Sequence, residues 1–352
     1  MKNHEISILL DKIVVLQPFT NHDMIKRLKI LVVRFSSIGD IVLTTPVVRC
    51  LKLQRNAEVH YLTKQSYAAI LKTNPYITKV WTIQSAVSEL KTELQKEQFD
   101  YVIDLHKNLR TLRLRLLLNA KFLSFQKLNF EKWLMTKFKI NRLPNVHIVD
   151  RYLKTVASLG IKNDAKGLDY FIPKKDEVEL QSIKQNKSIL VAFAIGAAHS
   201  TKRLPTEKMV SIIKKIIKKD NVIVVLLGGK DDKNRGAVIV KSVGQNIVNL
   251  CGELNLHQSA SVVQQSDIVI THDTGLMHIA AAFQKRIISI WGNTIPDFGM
   301  FPHLDESNFE IVEVKGLSCR PCSKIGHKAC PKGHFKCMNN IDENIIINHL
   351  NL

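Results

Sequence analysis

Two common nucleotide-binding motifs and a membrane-spanning run are missing from this chain of 352 residues. Neither G-x-G-x-x-G nor a Walker A pattern occurs, which disfavours a dinucleotide oxidoreductase and a P-loop enzyme. No stretch reaches the ~20 consecutive apolar residues that cross a bilayer. The longest candidates, such as residues 109–118, carry arginine. Long-range repeats and low-complexity tracts are also absent, so the sequence predicts an ordinary globular fold.

Acidic residues are scarce relative to basic ones. The chain has 31 Asp and Glu against 51 Lys and Arg, which gives a formal net charge of +20. Such an excess favours a polyanionic partner, whether nucleic acid, an anionic lipid surface or a phosphorylated glycan. A diffuse excess of solvated lysine is the alternative.

The N-terminus offers no convincing signal peptide. Residues 6–16 are apolar, but Asp11 and Lys12 interrupt them and no small-residue cleavage site follows. We therefore expect a cytoplasmic protein. Residues 1–27 are expected to form an extension peripheral to the fold, and Met24 would make a natural alternative start.

The pattern of strand, turn and helix repeats along the chain in two series, which predicts parallel sheets flanked by helices. The length also favours two domains. The polar stretch 173–187 separates them, so we expect one domain at 28–175 and another at 186–352. Ligands of open α/β sheets bind at the carboxyl ends of the strands, so two such domains would face each other across a cleft.

The predicted strands are 29–35, 58–63, 79–83 and 101–105 in the first series, and 189–194, 222–227, 247–250, 267–271 and 287–291 in the second. The principal predicted helices are 41–53, 147–159, 206–219, 231–243, 256–265 and 275–283. Gly160 is expected to end the helix at 147–159.

The most informative stretch is 271–282, where a buried strand runs through a short polar turn into an Ala-rich helix. The free N–H groups and positive end of such a helix suit a phosphate. Asp273 could simply cap the helix. His278, however, lies one turn along on the face that carries Thr274. Together with Gly275, these residues predict a phosphate site.

A similar junction follows the first strand. Ser36, Ser37 and Gly39 precede Asp40, which would stand at the carboxyl edge of the sheet facing the cleft. Gly39 permits a tight turn and close approach of a ligand. Asp40 could cap the helix or act as a general base on a bound hydroxyl.

Two further strand ends carry possible donor contacts. Lys202 and Arg203 follow a run of small residues and can offer charge-assisted hydrogen bonds, although Arg203 could equally be a solvated loop residue. Gly228 and Gly229 form a glycine pair that suits a turn beneath a nucleotide or any other tight connection.

Taken in order, these four motifs resemble glycosyltransferase family 9, the ADP-heptose:lipopolysaccharide heptosyltransferases. The resemblance runs from about Leu28 to the C-terminus. It implies a GT-B architecture of two Rossmann-like domains with the donor bound by the C-terminal one. It also implies an inverting transfer of heptose from ADP-heptose to a lipopolysaccharide core acceptor, with no metal required.

The resemblance assigns a role to each motif. Asp40 would deprotonate the acceptor hydroxyl, and Lys202 would contact the donor diphosphate and sugar. Thr274 and Gly275 would hold the pyrophosphate, supported by His278, and Asp273 would meet the sugar hydroxyls or the diphosphate. Gly228 and Gly229 complete the predicted donor side, and Ser36, Ser37, Gly39, Arg110 and Arg113 form the predicted acceptor side.

Four cysteines cluster near the C-terminus, at Cys319, Cys322, Cys330 and Cys337. In a reducing compartment this spacing favours a structural zinc over disulfides. Similar Cys-rich tails occur within family 9, which leaves a metal-free structural element as the alternative. Cys50 and Cys251 are expected to be inert core residues.

Basic and aromatic residues alternate between residues 107 and 142. Such a surface could bind single-stranded nucleic acid by stacking or a lipid-linked, phosphorylated glycan at an anionic membrane face. In a third alternative the aromatics are simply buried. Because this domain would present the acceptor, we favour the glycolipid, with the protein peripheral at the inner face of the cytoplasmic membrane.

Two rival functions remain open. The same fold could serve a transferase for another nucleoside-diphosphate sugar or a sugar-nucleotide isomerase, which needs no acceptor. A non-enzymatic nucleic-acid-binding protein is supported by charge alone, and the ordered motifs at strand ends disfavour it.

Overall fold

The computed structural model describes residues 27–183 and 189–350. The expected peripheral extension and the possible start at Met24 lie outside these residues, apart from Arg27. The described chain forms two parallel sheets, one in each half. The helices of residues 27–183 and 189–350 are all too short or too polar to cross a bilayer.

The N-terminal sheet has five parallel strands in the order β3-β2-β1-β4-β5. Its strands are β1 (Lys29–Val33), β2 (Glu58–Lys64), β3 (Lys79–Ile83), β4 (Tyr101–Asp104) and β5 (Lys121–Ser124). The central strand β1 reads KILVV and is buried along most of its length, because helices cover both faces of the sheet. Its helices are α1 (Ile38–Val42), α2 (Thr45–Arg55), α3 (Ala69–Lys72), α4 (Lys91–Lys96), α5 (Leu109–Leu117), α6 (Asn129–Phe138) and α7 (Ile148–Thr155).

The C-terminal sheet has six parallel strands in the order β11-β10-β9-β6-β7-β8. Its strands are β6 (Ile189–Ala194), β7 (Val222–Leu227), β8 (Ile247–Asn249), β9 (Ile268–His272), β10 (Arg286–Trp291) and β11 (Phe309–Glu313). Its helices are α8 (Thr206–Ile216), α9 (Lys233–Val243), α10 (Leu256–Gln265), α11 (Gly275–Ala282), α12 (Lys336–Asn339) and α13 (Glu343–Asn348).

Two predicted helices are interrupted in the structure. The helix predicted at 41–53 is wrong as one element, because the chain forms α1, turns at Leu43 and Thr44, and restarts as α2. Pro46, which has no N–H to donate, is tolerated in the first turn of the second helix. The helix predicted at 147–159 is α7 followed by a 3₁₀ turn, and Gly160 ends that turn at φ 73° as expected.

One hydrophobic core runs through both halves. It contains Ile30 and Val32 from the N-terminal sheet and Leu190, Val225 and Val269 from the C-terminal sheet. Two smaller clusters cover the outer faces of the two sheets. Helices α1 and α11, which follow the carboxyl ends of β1 and β9, pack against each other. The carboxyl edges of the two sheets therefore face one another, as the sequence predicts.

Candidate active site

Asp40 lies in α1, where its carboxylate is held on both oxygens. Ser37 donates to Oδ2 through its backbone N–H at 3.1 Å and its hydroxyl at 2.7 Å. The Arg34 guanidinium pairs with Oδ1 at 2.5 Å. Ser37 and Asp40 thus make the reciprocal capping contact that the sequence offered as one alternative. Capping explains the contacts of Oδ2. The ion pair between Oδ1 and Arg34 plays no part in capping.

The charge of Asp40 is fixed by these partners. Burial alone would raise its pKa, but Arg34 and the hydrogen bonds from Ser37 outweigh burial and hold the pKa below its ordinary value. Arg34 also donates to the carbonyl of Leu105 at 2.6 Å and to the hydroxyl of Tyr152 at 3.0 Å. Asp40 is therefore an ionised carboxylate at neutral pH, held in one orientation.

The two domains meet at a pair of glycines. A Cβ atom on Gly39 would lie 2.4 Å from Cδ2 of His278, and one on Gly275 would lie 2.7 Å from Cγ2 of Ile38. The His278 ring fills the space that a side chain at position 39 would need, and the close approach of a ligand to Gly39 stays a prediction. This contact brings Asp40 to the N-terminal end of α11.

His278 is buried between the domains. Its pKa is lowered to about 4, chiefly by burial, although the charges of Asp273 and Asp40 oppose the shift. The imidazole is therefore neutral at physiological pH. Its Nδ1 has no hydrogen-bond partner among the described residues. An orphaned buried nitrogen of this kind is a natural contact for a ligand.

The turn before α11 gathers the predicted donor residues. Thr274, rather than Asp273, occupies the N-cap position, and its side chain makes no capping bond. Capping, the alternative role for Asp273, is therefore excluded: its Oδ2 accepts from Lys202 Nζ at 2.5 Å and from the Thr294 hydroxyl at 2.8 Å. The first N–H groups of α11 are consequently left for an anion.

Gly228 and Gly229, which follow β7, pack around the side chain of Asp232. A Cβ on Gly228 would lie 2.7 Å from Cβ of Asp232, and Gly229 donates its N–H to Asp232 Oδ2 at 3.0 Å. Asp232 also pairs with Arg235. Sequence reasoning missed Asp232. The turn itself is present, and its role beneath a nucleotide stays a prediction.

The Arg203 side chain is held in place by two contacts. Its Nε donates to the carbonyl of Ala197 at 2.7 Å, and its guanidinium lies 3.9 Å from Asp232. These contacts favour a structural role for Arg203. Lys202, by contrast, reaches the turn that leads into α11.

Cations of the N-terminal domain interact electrostatically with Asp40 and with one another. The pKa of Lys132 is lowered to about 8, first by burial and then by repulsion from Arg151, while Asp40 opposes the shift. Burial, followed by repulsion from Arg34, also lowers the pKa of Lys127. Arg151 is 7% exposed, and its Nε and Nη1 have no hydrogen-bond partner among the described residues. A buried guanidinium with unused donors suits an anionic ligand.

The predicted acceptor-side residues fall into two places. Ser36 and Ser37 adjoin the Asp40 cluster, with the carbonyl of Ser36 accepting from Arg34 Nε at 2.8 Å. Arg110 donates instead to the carbonyl of Ser85 at 3.0 Å. Arg113 is exposed on α5. The two arginines belong to the outer surface of α5 and its neighbouring loop.

Comparison with known proteins identifies the group to which this site belongs. The model of glycosyltransferase family 9 (heptosyltransferase) matches residues 87–332. The chain belongs to glycosyltransferase family 9. It is therefore an enzyme that transfers a sugar, as the ordered motifs predict.

Two relatives of this family-9 enzyme are similar to it along nearly their whole length. Lipopolysaccharide heptosyltransferase 1 of Campylobacter coli is 23% identical over 82% of this chain and 96% of its own. Lipooligosaccharide heptosyltransferase 2 of Haemophilus influenzae is 23% identical over 85% and 93%. The family prediction is confirmed, and the match is spread over both domains.

Solved structures confirm the GT-B architecture. A family-9 glycosyltransferase from Veillonella parvula superposes with a TM-score of 0.72 at 21% identity, covering 92% of this chain and 96% of that one. The ADP-heptose lipopolysaccharide heptosyltransferase II of Escherichia coli gives 0.70 at 17% identity, covering 92% and 98%. At these identities the likeness establishes the fold alone.

The family-9 enzyme also has one compact group of possible metal ligands among its described residues, formed by Glu58, His60 and Glu97. The Lys29 ammonium lies 2.9 Å from Glu97 and 3.6 Å from Glu58, and His60 accepts from the Trp81 indole at 3.0 Å. The Lys29 ammonium therefore already neutralises negative charge in this group. It lies at the amino ends of β1 and β2, on the opposite edge of the sheet from Asp40.

The predicted basic and aromatic surface is partly buried in this enzyme. Phe125 is a core residue that packs against Tyr152. Phe130, Trp133 and Phe138 are exposed on α6 and contact one another ring to ring. The exposed rings of this surface thus lie on α6, whereas Phe122 on β5 is half-buried beneath the Arg115 guanidinium.

Proposed function

We propose that this enzyme moves heptose from ADP-heptose to a lipopolysaccharide core acceptor with inversion at the anomeric carbon. The names of its relatives, which are lipopolysaccharide and lipooligosaccharide heptosyltransferases, support the sugar and the pathway. The observation that carries the proposal is the contact between α1 and α11. That contact sets the Asp40 carboxylate against the N-terminal end of a helix suited to a diphosphate.

The C-terminal domain, residues 186–352, would bind the donor. Thr274 and Gly275 begin α11, where free N–H groups and the positive helix end stabilise the diphosphate. Lys202 would exchange its bond with Asp273 for one with a phosphate oxygen, and the orphaned Nδ1 of His278 would gain a partner. Charge that develops on departing ADP is thereby stabilised without a metal ion.

Asp40 would act as the base. The acceptor hydroxyl oxygen forms a bond to the anomeric carbon as the bond from that carbon to the diphosphate breaks. The electron pair leaves with ADP, and the proton passes to Asp40. Because attack comes from the face opposite the nucleotide, configuration inverts.

The N-terminal domain, residues 28–175, would bind a lipid-linked acceptor. Lys127 and Lys132, which interact electrostatically with Asp40, and the buried Arg151, which interacts with Lys132, favour a glycan that carries carboxylate or phosphate groups. Ser36 and Ser37 would contact the same glycan. The exposed Arg113 and its apolar neighbours on α5 favour an anionic membrane surface, with the enzyme peripheral at the cytoplasmic face.

The test is an Asp40→Asn variant assayed with ADP-heptose and a lipopolysaccharide core acceptor. We expect kcat to fall by ~10²–10⁴, the usual contribution of a general base, while the Kd for ADP stays unchanged. NMR of the wild-type product should show an inverted anomeric centre. Glu93→Gln, the same chemical change on the exposed face of α4, should leave kcat unaltered.

Undiminished turnover by Asp40→Asn would remove Asp40 from the mechanism. Binding of UDP or GDP in preference to ADP would keep the fold and overturn the donor. Conversion of the sugar nucleotide without acceptor would instead identify an isomerase. RNA binding without any affinity for sugar nucleotides would point to the nucleic-acid alternative.

A further inference from the structure

The segment between β11 and α12, residues 314–335, contains no helix or strand and yet packs on the donor domain. Arg320 donates to the carbonyls of Gly292 at 2.6 Å and Thr294 at 2.8 Å. The His327 N–H donates to the hydroxyl of Thr201 at 2.8 Å. So long an irregular stretch is uncommon in a compact domain and is usually functional. The question is what fixes its own conformation.

Four cysteines, three in this segment and one in α12, line a single small cavity. Cys319, Cys322, Cys330 and Cys337 surround a volume of about 20 Å³, close to the space of one ion or water molecule. Four sulfur ligands around one point are the preferred environment of zinc and of iron. The remaining cysteines, Cys50 and Cys251, lie in hydrophobic clusters away from this cavity, as expected.

A second observation also points to a ligand here. Asn293 lines the same cavity, is 1% exposed, and has no hydrogen-bond partner for either Oδ1 or Nδ2 among the described residues. A buried amide is rarely left unpaired. Thiolates held by a metal accept hydrogen bonds from such groups, which commonly surround metal ligands.

His334 has the properties of a supporting donor rather than a ligand. Its Nδ1 accepts the N–H of Lys336 at 3.0 Å, so the neutral ring carries its proton on Nε2. That Nε2 lies 3.8 Å from the sulfur of Cys319. A protonated nitrogen cannot bind a metal but can donate to a thiolate.

We propose that Cys319, Cys322, Cys330 and Cys337 bind one zinc or iron ion as thiolates, with Asn293 and His334 donating to their sulfurs. No three of these sulfurs lie within 4.8 Å of one another among the described residues. A tetrahedral ion with bonds of ~2.3 Å holds its sulfurs about 3.8 Å apart. Binding therefore contracts the cavity and cross-links turns that are distant in sequence.

The site lies within one residue of the donor groups on two loops. Thr201, which bonds His327, precedes Lys202, and Asn293 precedes Thr294, which donates to Asp273. A bound ion would fix both loops and so position Lys202 and Asp273. The presence of the ion does not depend on the proposed reaction, whereas its effect on ADP binding rests on the proposed donor site.

The first experiment measures zinc and iron by mass spectrometry in the purified full-length chain, after incubation with either metal and removal of the excess. We expect about one equivalent in the wild type and in Cys251→Ala, which removes a thiol outside the cluster. The variants Cys322→Ser and Cys330→Ser should not retain the metal. A visible thiolate-to-iron absorption band would identify the metal as iron. A colourless protein that holds one equivalent of metal would identify it as zinc.

Metal far below one equivalent in the wild type, or a disulfide among the four cysteines in non-reducing peptide mapping, would overturn the proposal. Neither measurement requires that a variant fold. Stripping the metal from the wild type with a chelator should also raise the Kd for ADP severalfold, with restoration on adding it back. A protein that binds metal but not ADP would support the proposed metal site and contradict the proposed donor site.

Discussion

A carboxylate whose pKa is held low is always ionised at neutral pH but has little affinity for a proton. In the proposed reaction, the pairing of Asp40 with Arg34 would therefore favour proton transfer at a late stage, when the acceptor oxygen has already bonded to carbon and become acidic. Arg34, locked by Leu105 and Tyr152, would keep the carboxylate aimed at the acceptor rather than strengthen it as a base.

Lys132 gives the residue-scale prediction. Because its pKa is about 8 in the free protein, it is cationic below that pH and neutral above it. Binding of an anionic acceptor should therefore weaken as pH rises, and kcat/KM for the acceptor should fall through about pH 8. Lys132→Arg, whose pKa exceeds about 12, should remove this limb from the pH profile.

Lys137→Arg is the matched control, because Lys137 is an exposed lysine on the same helix. It should keep the wild-type profile. Identical pH profiles for the wild type and Lys132→Arg would exclude Lys132 from acceptor binding.

The sequence predicted residues that follow strands and failed on those whose roles depend on distant partners. Asp40, Lys202 and Thr274 were accessible because strand ends of parallel sheets converge. Arg151 and Asn293 were not, because their significance lies in buried polar atoms without partners, which only the packed structure reveals.

At the scale of single elements, α5 has an unusual outer face. Leu109, Leu112 and Leu116, spaced along one stripe, are 75%, 53% and 82% exposed. Arg113 and Arg115 are also exposed on this helix. Apolar side chains beside arginines suit the interface of an anionic membrane.

We expect the triple change of Leu109, Leu112 and Leu116 to serine to reduce co-sedimentation with vesicles that contain phosphatidylglycerol. The reason is that it removes apolar area that would enter the lipid, while every arginine remains. Leu53→Ser is the control, because Leu53 is 56% exposed on α2, which has no such stripe. Equal sedimentation of the triple variant and the wild type would rule out α5 as the membrane contact.

Strands were predictable where a run of apolar residues marks them, and two strands without such a run were missed. The strands β5 and β11 are mostly half-exposed and lack a continuous apolar run, whereas β3 and β8, the other two edge strands, were predicted. The break between α1 and α2 was also missed, because an apolar periodicity continues across it.

At the scale of the whole molecule, the alternation of elements was enough to predict two parallel sheets facing a cleft. It could not show that one core is continuous between them, with Ile30 and Val269 in the same cluster. Contacts between domains depend on shape, which periodicity does not encode. The continuous core and the glycine contact together fix how the domains sit.

Gly39→Ala tests that arrangement. The added methyl group would meet the His278 ring at 2.4 Å, so the domains or the ring must shift. We expect a lower Tm and a kcat reduced at least severalfold. In a His278→Ala background the same change should cost little further Tm, because the ring that it meets is gone; a double-mutant cycle measures this coupling. Additive losses of Tm in the double variant would show that the contact between Gly39 and His278 does not hold the two domains together.

The pairing of Gly39 with His278 and Gly275 also has a consequence for recombination between relatives. In the proposed reaction, the donor and the acceptor would be brought together by a fit between the bare backbone of Gly39 on one domain and the His278 ring on the other. A chimera that joins the acceptor half of one enzyme to the donor half of another would have to inherit both sides of this fit. Domain exchange should therefore succeed between parents that share these three residues and fail, even with both pockets intact, between parents that do not.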